Sequence, residues 1–256
     1  MKTGVQLFTV RKQARKDLYK TLKELNDMGI NYIEAARIDF NEENAMLIKK
    51  AYEDFGIKTI SALIKYNILN KDFDKIVNFC DITRCKNVVI SGLPAKNIFG
   101  GKNTLIDFCK KVNALAAKYN KHGIKLSYHH HDYEFVKRKY GYQFDLLKED
   151  FDRNVSFVID TFWVTKGGNS PDKVISALNK RVKGVHLRDY ALFGMAKKAK
   201  GFAVGEGVID FAAVYESSKQ AMAEYAVIEQ NTDNPFEELK KSIDFLVKQG
   251  FALTFK

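Results

Sequence analysis

Eight short apolar runs separated by helical patterns, with no glycine-rich phosphate loop after the first, predict an α/β fold: a single (β/α)8 TIM barrel domain over residues 1–256. Chain length agrees, because 256 residues suit one large α/β domain and 46% hydrophobic residues are ample for its core. The three prolines are too few for flexible linkers, and no domain boundary is visible. A doubly wound open sheet would also alternate strand and helix. It would more often carry G-x-G-x-x-G after the first strand, and neither residues 5–11 nor Gly92-Leu-Pro matches that fingerprint.

The strand readings are 5–8, 32–35, 58–63, 87–91, 125–129, 156–159, 182–186 and 225–228, each a short apolar run. Between the first two, residues 17–28 place Leu18, Leu22 and Leu25 at i, i+4 and i+7 on one helical face. Helical patterns at 42–54 and 71–84 follow. Residues 104–121 carry Leu105, Phe108, Val112, Leu115 and Tyr119 on one stripe. After the fifth run only a short helix fits, at 143–148. Ser170-Pro171 and Asn234-Pro235 each read as an N-cap followed by proline at the first helical position. The last helix, 235–248, buries Phe236, Leu239, Ile243 and Leu246. The longest irregular stretch, 190–208, holds Lys197, Lys198 and Lys200; long loops after barrel strands usually cover the active site.

Composition narrows the function classes. Cys80, Cys85 and Cys109 form no C-x-x-C pair, which argues against a disulfide framework or zinc knuckle and for a reducing cytoplasm. The first residues lack the apolar core of a signal peptide, and no run of about 18 apolar residues could span a membrane. The expectation is therefore a cytoplasmic protein with no membrane partner. A net charge of +11 invites nucleic acid or an anionic substrate. The lysines, however, are mixed with acids along helices, as in Lys16-Asp17, Lys23-Glu24 and Lys148-Glu149, so a solvated surface and no nucleic-acid partner are expected.

In a barrel, the C-terminal ends of the strands face one pocket. Here those ends offer Gln6, Glu34, His129, His131, Glu134, Asp160, His186 and Glu229. Several carboxylates in one pocket are costly unless a cation sits among them. Glu134, Asp160, His186 and Glu229 form a hard, oxygen-rich set that suits Mn²⁺, Mg²⁺, Co²⁺ or Fe²⁺ better than a structural zinc. Each residue has a plainer reading. A lone acid at a strand end commonly caps a helix, a lone histidine is commonly a core residue, and alternation turns His130 away from His129 and His131. Four consecutive strands each ending in a ligand type are what point to a metal centre. Gln6, Arg11, Glu34, Trp163, Lys166 and Arg188 are candidate substrate contacts, although Trp163 could simply pack a loop and Arg188 could pair with Asp189 or Asp160. The lysines at 197, 198 and 200 read as a solvated loop more readily than as a phosphate site.

Six motifs carry a family resemblance: Gly4-Val-Gln-Leu-Phe-Thr-Val-Arg11, Tyr128-His-His-His-Asp-Tyr-Glu-Phe135, Ile159-Asp-Thr-Phe-Trp-Val164, Val185-His-Leu-Arg-Asp189, Val204-Gly-Glu-Gly-Val-Ile-Asp210 and Val227-Ile-Glu-Gln230. Through them nearly the whole chain resembles the sugar isomerase/epimerase group of xylose-isomerase-like TIM barrels. That group includes tagatose 3-epimerase-type enzymes, hydroxypyruvate isomerase, inosose dehydratase and endonuclease IV. The resemblance implies a metal set of Glu, Asp, His and Glu from strands five to eight, which here means Glu134, Asp160, His186 and Glu229. Two departures stand out. Epimerases usually place the first Glu at the strand end, where this chain has Ser127-Tyr128, and many relatives carry a His near the end of strand three, where it reads Ala62-Leu-Ile-Lys65. The histidine-rich form looks closer to inosose dehydratase-like and keto-sugar-processing relatives.

The implied chemistry is proton removal next to a carbonyl. A divalent metal (Mn first, with Mg, Co, Fe or Zn as alternatives) would be chelated by a ketone oxygen and its neighbouring hydroxyl, acidify the intervening C–H and stabilise an enediolate. Glu134 and Glu229 would serve as acid/base groups as well as ligands, with His129 or His131 as an alternative base. Returning the proton to the opposite face epimerises; returning it to the next carbon isomerises. Expelling a leaving group makes a dehydratase or lyase acting on a keto-inositol or 3-keto-glycoside. The implied partner is a small carbohydrate, and relatives are often homo-oligomers. An endonuclease IV-type site would need about nine ligands around three zinc ions, many of them His; this chain has five histidines. A non-catalytic sugar-binding barrel is the remaining alternative.

Overall fold

A computed structural model describes residues 1–191 and 202–251, so Lys197, Lys198 and Lys200 lie outside the described residues. Eight parallel strands close into one barrel: β1 Lys2–Gln6, β2 Tyr32–Ala35, β3 Lys58–Ile64, β4 Asn87–Ile90, β5 Lys125–His129, β6 Val155–Asp160, β7 Val182–Leu187 and β8 Tyr225–Ile228. Each strand pairs with its neighbours in sequence order, and β8 closes on β1 through Lys2↔Tyr225 to Val5↔Ile228. The only other pairing among the described residues is a small antiparallel hairpin, Lys137–Arg138 with Gly141–Tyr142.

The first strand lies earlier than the apolar run at 5–8 indicates. Thr9 N donates to Gln6 O and Val10 N to Leu7 O, so the chain turns directly after Gln6. The strand instead recruits Lys2, Thr3 and Gly4, whose weak hydropathy hides it. Gly4 is needed there, because a Cβ would lie 2.2 Å from the Tyr32 carbonyl oxygen. The helical pattern at 71–84 forms the helix Phe73–Thr83, and a further short helix, Tyr66–Lys71, precedes it. Helices do begin at Pro171 and Pro235, but neither Ser170 nor Asn234 caps through its side chain. The Ser170 hydroxyl is turned to the Asp172 carboxylate.

Two apolar regions hold the fold. The larger lies between barrel and helices, where Leu22, Ile48, Ile76, Phe108, Val112 and Leu246 pack on the outward faces of the strands. The smaller contains Ile60, Val89, Val158, Tyr225 and Val227. Period-two alternation puts it inside the barrel, one layer below the residues that end the strands. Gly184 makes room there, since a Cβ would lie 2.3 Å from the Tyr225 ring, itself fully buried. Gly184→Ala is therefore expected to lower stability by about 1–3 kcal/mol or more through overpacking. An unfolding midpoint in urea equal to that of the unaltered protein would contradict this packing.

Candidate metal centre

The layer above that plug is polar. Alternation carries Gln6 (β1), Glu34 (β2), His129 (β5), Asp160 (β6), His186 (β7) and Glu229 (just past β8) to the same end of the barrel interior, and all six are buried. Ligand atoms of His129, Asp160, His186 and Glu229 lie within 4.8 Å of one another. His129 Nε2 is 3.5 Å from Asp160 Oδ2, His186 Nδ1 is 3.8 Å from the same oxygen, and His186 Nδ1 is 3.0 Å from Glu229 Oε2.

Neighbours fix these side chains. Asp160 Oδ1 accepts from Trp163 N at 2.9 Å, capping the short helix Thr161–Lys166 and leaving Oδ2 to the cluster. Gln6 Nε2 donates to Glu229 Oε2 at 2.6 Å and to Glu34 Oε1 at 3.1 Å. Ser61 Oγ donates to Glu34 Oε2 at 2.6 Å. His186 Nε2 lies 2.9 Å from Glu34 Oε1 but without the alignment of a hydrogen bond.

Both ring nitrogens of His129 and Oδ2 of Asp160 are buried without a hydrogen-bond partner. Buried polar atoms are nearly always satisfied, so these orphans beside His186 Nδ1 and Glu229 Oε2 call for a cation. The electrostatics agree. Burial opposes charge on His186, yet Glu34 and Glu229 outweigh it and push the imidazole up to about 10. Glu229 is pushed up by burial and pulled further down by His186 and Arg188, to end well below the usual carboxylate range. Glu34 is likewise lowered, burial being outweighed by His186. The imidazolium thus stands where a divalent cation would neutralise the same carboxylates.

The sequence profile of the xylose isomerase-like TIM barrel family matches residues 22–249. The chain belongs to that family. Among solved structures, a sugar phosphate isomerase/epimerase from Parabacteroides distasonis ATCC 8503 is 21% identical, with TM-score 0.80 over 100% of this chain and 99% of that one. A D-allulose 3-epimerase from Methylomonas sp. is 14% identical, with TM-score 0.74 over 96% and 97%. The IOLI protein, with a bound zinc atom, is 15% identical, with TM-score 0.70 over 99% and 98%. At these identities the likeness is one of fold. No curated protein matches the chain.

In this xylose isomerase-like barrel, Glu134 sits apart from the cluster. It lies in a 3-10 turn, Tyr133–Phe135, beyond the strand, and is fully buried. Its carboxylate accepts from the Tyr128 hydroxyl and from His131 N, at 3.0 Å for the latter, and burial pushes it up to about 8. The structure therefore brings His129, rather than Glu134, together with Asp160, His186 and Glu229. His131 lies beside the cluster, stacked on Tyr133 at 5.2 Å and 4.9 Å from the Trp163 ring. Burial and the neighbouring His129 lower it to about 3, so its ring is neutral at physiological pH.

A cavity of about 550 Å³ opens over this end of the barrel, lined among others by Gln6, His129, His131, Trp163, Arg188 and Glu229. Arg188 lies 4.1 Å over the Phe162 ring, with Nη1 3.5 Å from Glu229 Oε1, so its carboxylate partner is neither Asp189 nor Asp160. Three of the expected contacts do not line the cavity. Glu34 is buried beneath it. Arg11 spends its guanidinium on Phe8 O and Asn231 Oδ1, at 2.8 and 2.6 Å. Lys166 pairs with Asp132 at 2.9 Å and covers Trp163 from 4.8 Å. Ser61 was missed as the residue that orients Glu34; a lone serine inside the apolar run of β3 was the available signal. Among the described residues, no helix is long and apolar enough to cross a membrane.

Proposed function

We propose that this barrel is a divalent-metal-dependent isomerase or epimerase of a keto-sugar or related polyol, with His129, Asp160, His186 and Glu229 as ligands. The observation that carries the reading is the convergence of buried ligand atoms from these four residues, with His129 Nε2 and Asp160 Oδ2 unpartnered, beneath a cavity that His129 and Glu229 line. Two imidazoles and two carboxylates are a more nitrogen-rich set than the sequence indicated. Such a set favours Zn²⁺, Fe²⁺, Co²⁺ or Mn²⁺ over Mg²⁺. When bound, the ion supplies Lewis-acid polarisation of a carbonyl oxygen, which acidifies the adjacent C–H.

The chain's own groups do the rest. Glu229 holds Oε2 against Gln6 and His186 and turns Oε1 toward Arg188 at the cavity wall, which suits it to take the proton from carbon. The Arg188 guanidinium, fixed over Phe162, offers positive charge where negative charge develops on the substrate. Neutral His131 can hydrogen-bond a sugar hydroxyl without bringing a charge. Trp163 and Phe8 give the cavity the apolar faces that carbohydrate C–H edges pack against.

The test is exchange of carbon-bound hydrogen. The metal-loaded protein, incubated with a panel of ketohexoses, ketopentoses and keto-inositols in deuterium oxide, should place deuterium next to a carbonyl in at least one substrate. The product then separates epimerisation, isomerisation and loss of water. No exchange across the panel, with metal bound, would count against the reading.

A further inference from the structure

The opposite, N-terminal end of the barrel carries a second concentration of charge that the catalytic reading leaves unused. Lysine is the first residue of β1, β3 and β5 and the second of β7: Lys2, Lys58, Lys125 and Lys183. Lys86 directly precedes β4, and its carbonyl accepts from Lys125 N at 2.9 Å, so the rim runs from strand to strand. Two members of this rim are paired, Lys183 with Glu224 and Lys125 with Asn120. The others are not.

Those others surround a cavity of about 260 Å³, lined by Lys2, Lys58, Lys86 and Arg84 together with Tyr32 and Tyr52. Its one carboxylate, Glu224, is already engaged by Lys183. Lys2 and Lys58 sit 5.7 and 6.0 Å from the centre of the same Tyr32 ring, and Arg84 lies 4.9 Å over Tyr52. Among the described residues none of the four cations has a carboxylate partner. At the cavity wall, Thr59 Oγ1 is a hydroxyl buried with no hydrogen-bond partner, on a residue more than nine-tenths buried. Clustered like charges repel, and a buried hydroxyl without an acceptor is unfavourable. One ligand answers both: a compact dianion accepts from ammonium, guanidinium and hydroxyl groups together.

We infer that this end of the barrel binds a small phosphate monoester of a sugar: its phosphate among Lys2, Lys58, Lys86 and Arg84, and its ring against Tyr32 and Tyr52. The cavity exceeds what phosphate alone would fill, and two aromatic faces suit the apolar edges of a sugar. The site lies across the packed interior plug from the metal cluster, so its occupancy does not depend on the proposed activity.

The test is calorimetric titration of the whole protein with glucose 6-phosphate, inorganic phosphate and glucose, at ionic strength matched with sodium chloride. Glucose 6-phosphate is expected to saturate one site, glucose to show no binding, and inorganic phosphate to bind about tenfold or more weakly. In Lys58→Gln/Lys86→Gln the affinity for glucose 6-phosphate should fall about tenfold or more. Both side chains are exposed, and Arg84→Gln gives a second route should the double variant not fold. Unchanged affinity in these variants would place any binding elsewhere and overturn the inference. So would the absence of saturation at millimolar ligand, or equal affinity for phosphate and its ester.

Discussion

Replacing Asp189 with alanine is expected to cost about 3–5 kcal/mol of stability, through loss of charge-assisted hydrogen bonds from a buried carboxylate. Asp189 follows Arg188 beyond β7 and is buried. One oxygen accepts from Tyr190 N at 2.8 Å and Ile209 N at 3.3 Å; the other accepts from Gly205 N and Gly207 N, both at 2.8 Å. The carboxylate thus ties Tyr190, directly after it in the chain, to the segment from Gly205 to Ile209. Gly207 is required for the approach, since a Cβ would lie 2.3 Å from Asp189 Oδ1. Asp189→Asn keeps one acceptor oxygen and should lose less. Urea unfolding of both variants checks this, and a midpoint shift worth under about 1 kcal/mol for the alanine would refute the clasp.

The second large effect falls on turnover. Glu229→Gln is expected to lower the rate by about 10²–10⁴-fold, the usual contribution of a positioned general base. The amide is nearly isosteric, so the fold should survive. Metal content and deuterium exchange, measured on the same sample, separate loss of the base from loss of a ligand. A variant that binds metal and turns over within about threefold of the unaltered protein would remove the base role from Glu229.

The barrel was legible because strand and helix signals repeat, and repetition survives errors at single ends. Lys2 to Gly4 escaped because small and polar residues complete β1 for reasons of space beneath Tyr32, which hydropathy does not register. Asp160, His186 and Glu229 were legible because each is the ligand-type side chain nearest a strand end. The same rule read strictly favours His129, the last residue of β5, over Glu134, which lies in a turn beyond it. Arg11 and Lys166 were drawn to the site by their closeness in sequence to strand ends. Their partners, Asn231 and Asp132, come from other loops, and no local pattern announces such pairs.

Elemental analysis of protein purified without chelator tests the central claim most directly, with His129→Ala and Glu134→Gln as companions. The account expects about one divalent transition metal per chain in the unaltered protein, its loss in His129→Ala, and its retention in Glu134→Gln. Metal retained without His129 but lost without the Glu134 carboxylate would contradict the ligand set. Absence of metal from all three, even after divalent ions are added back, would contradict the mechanism built on it.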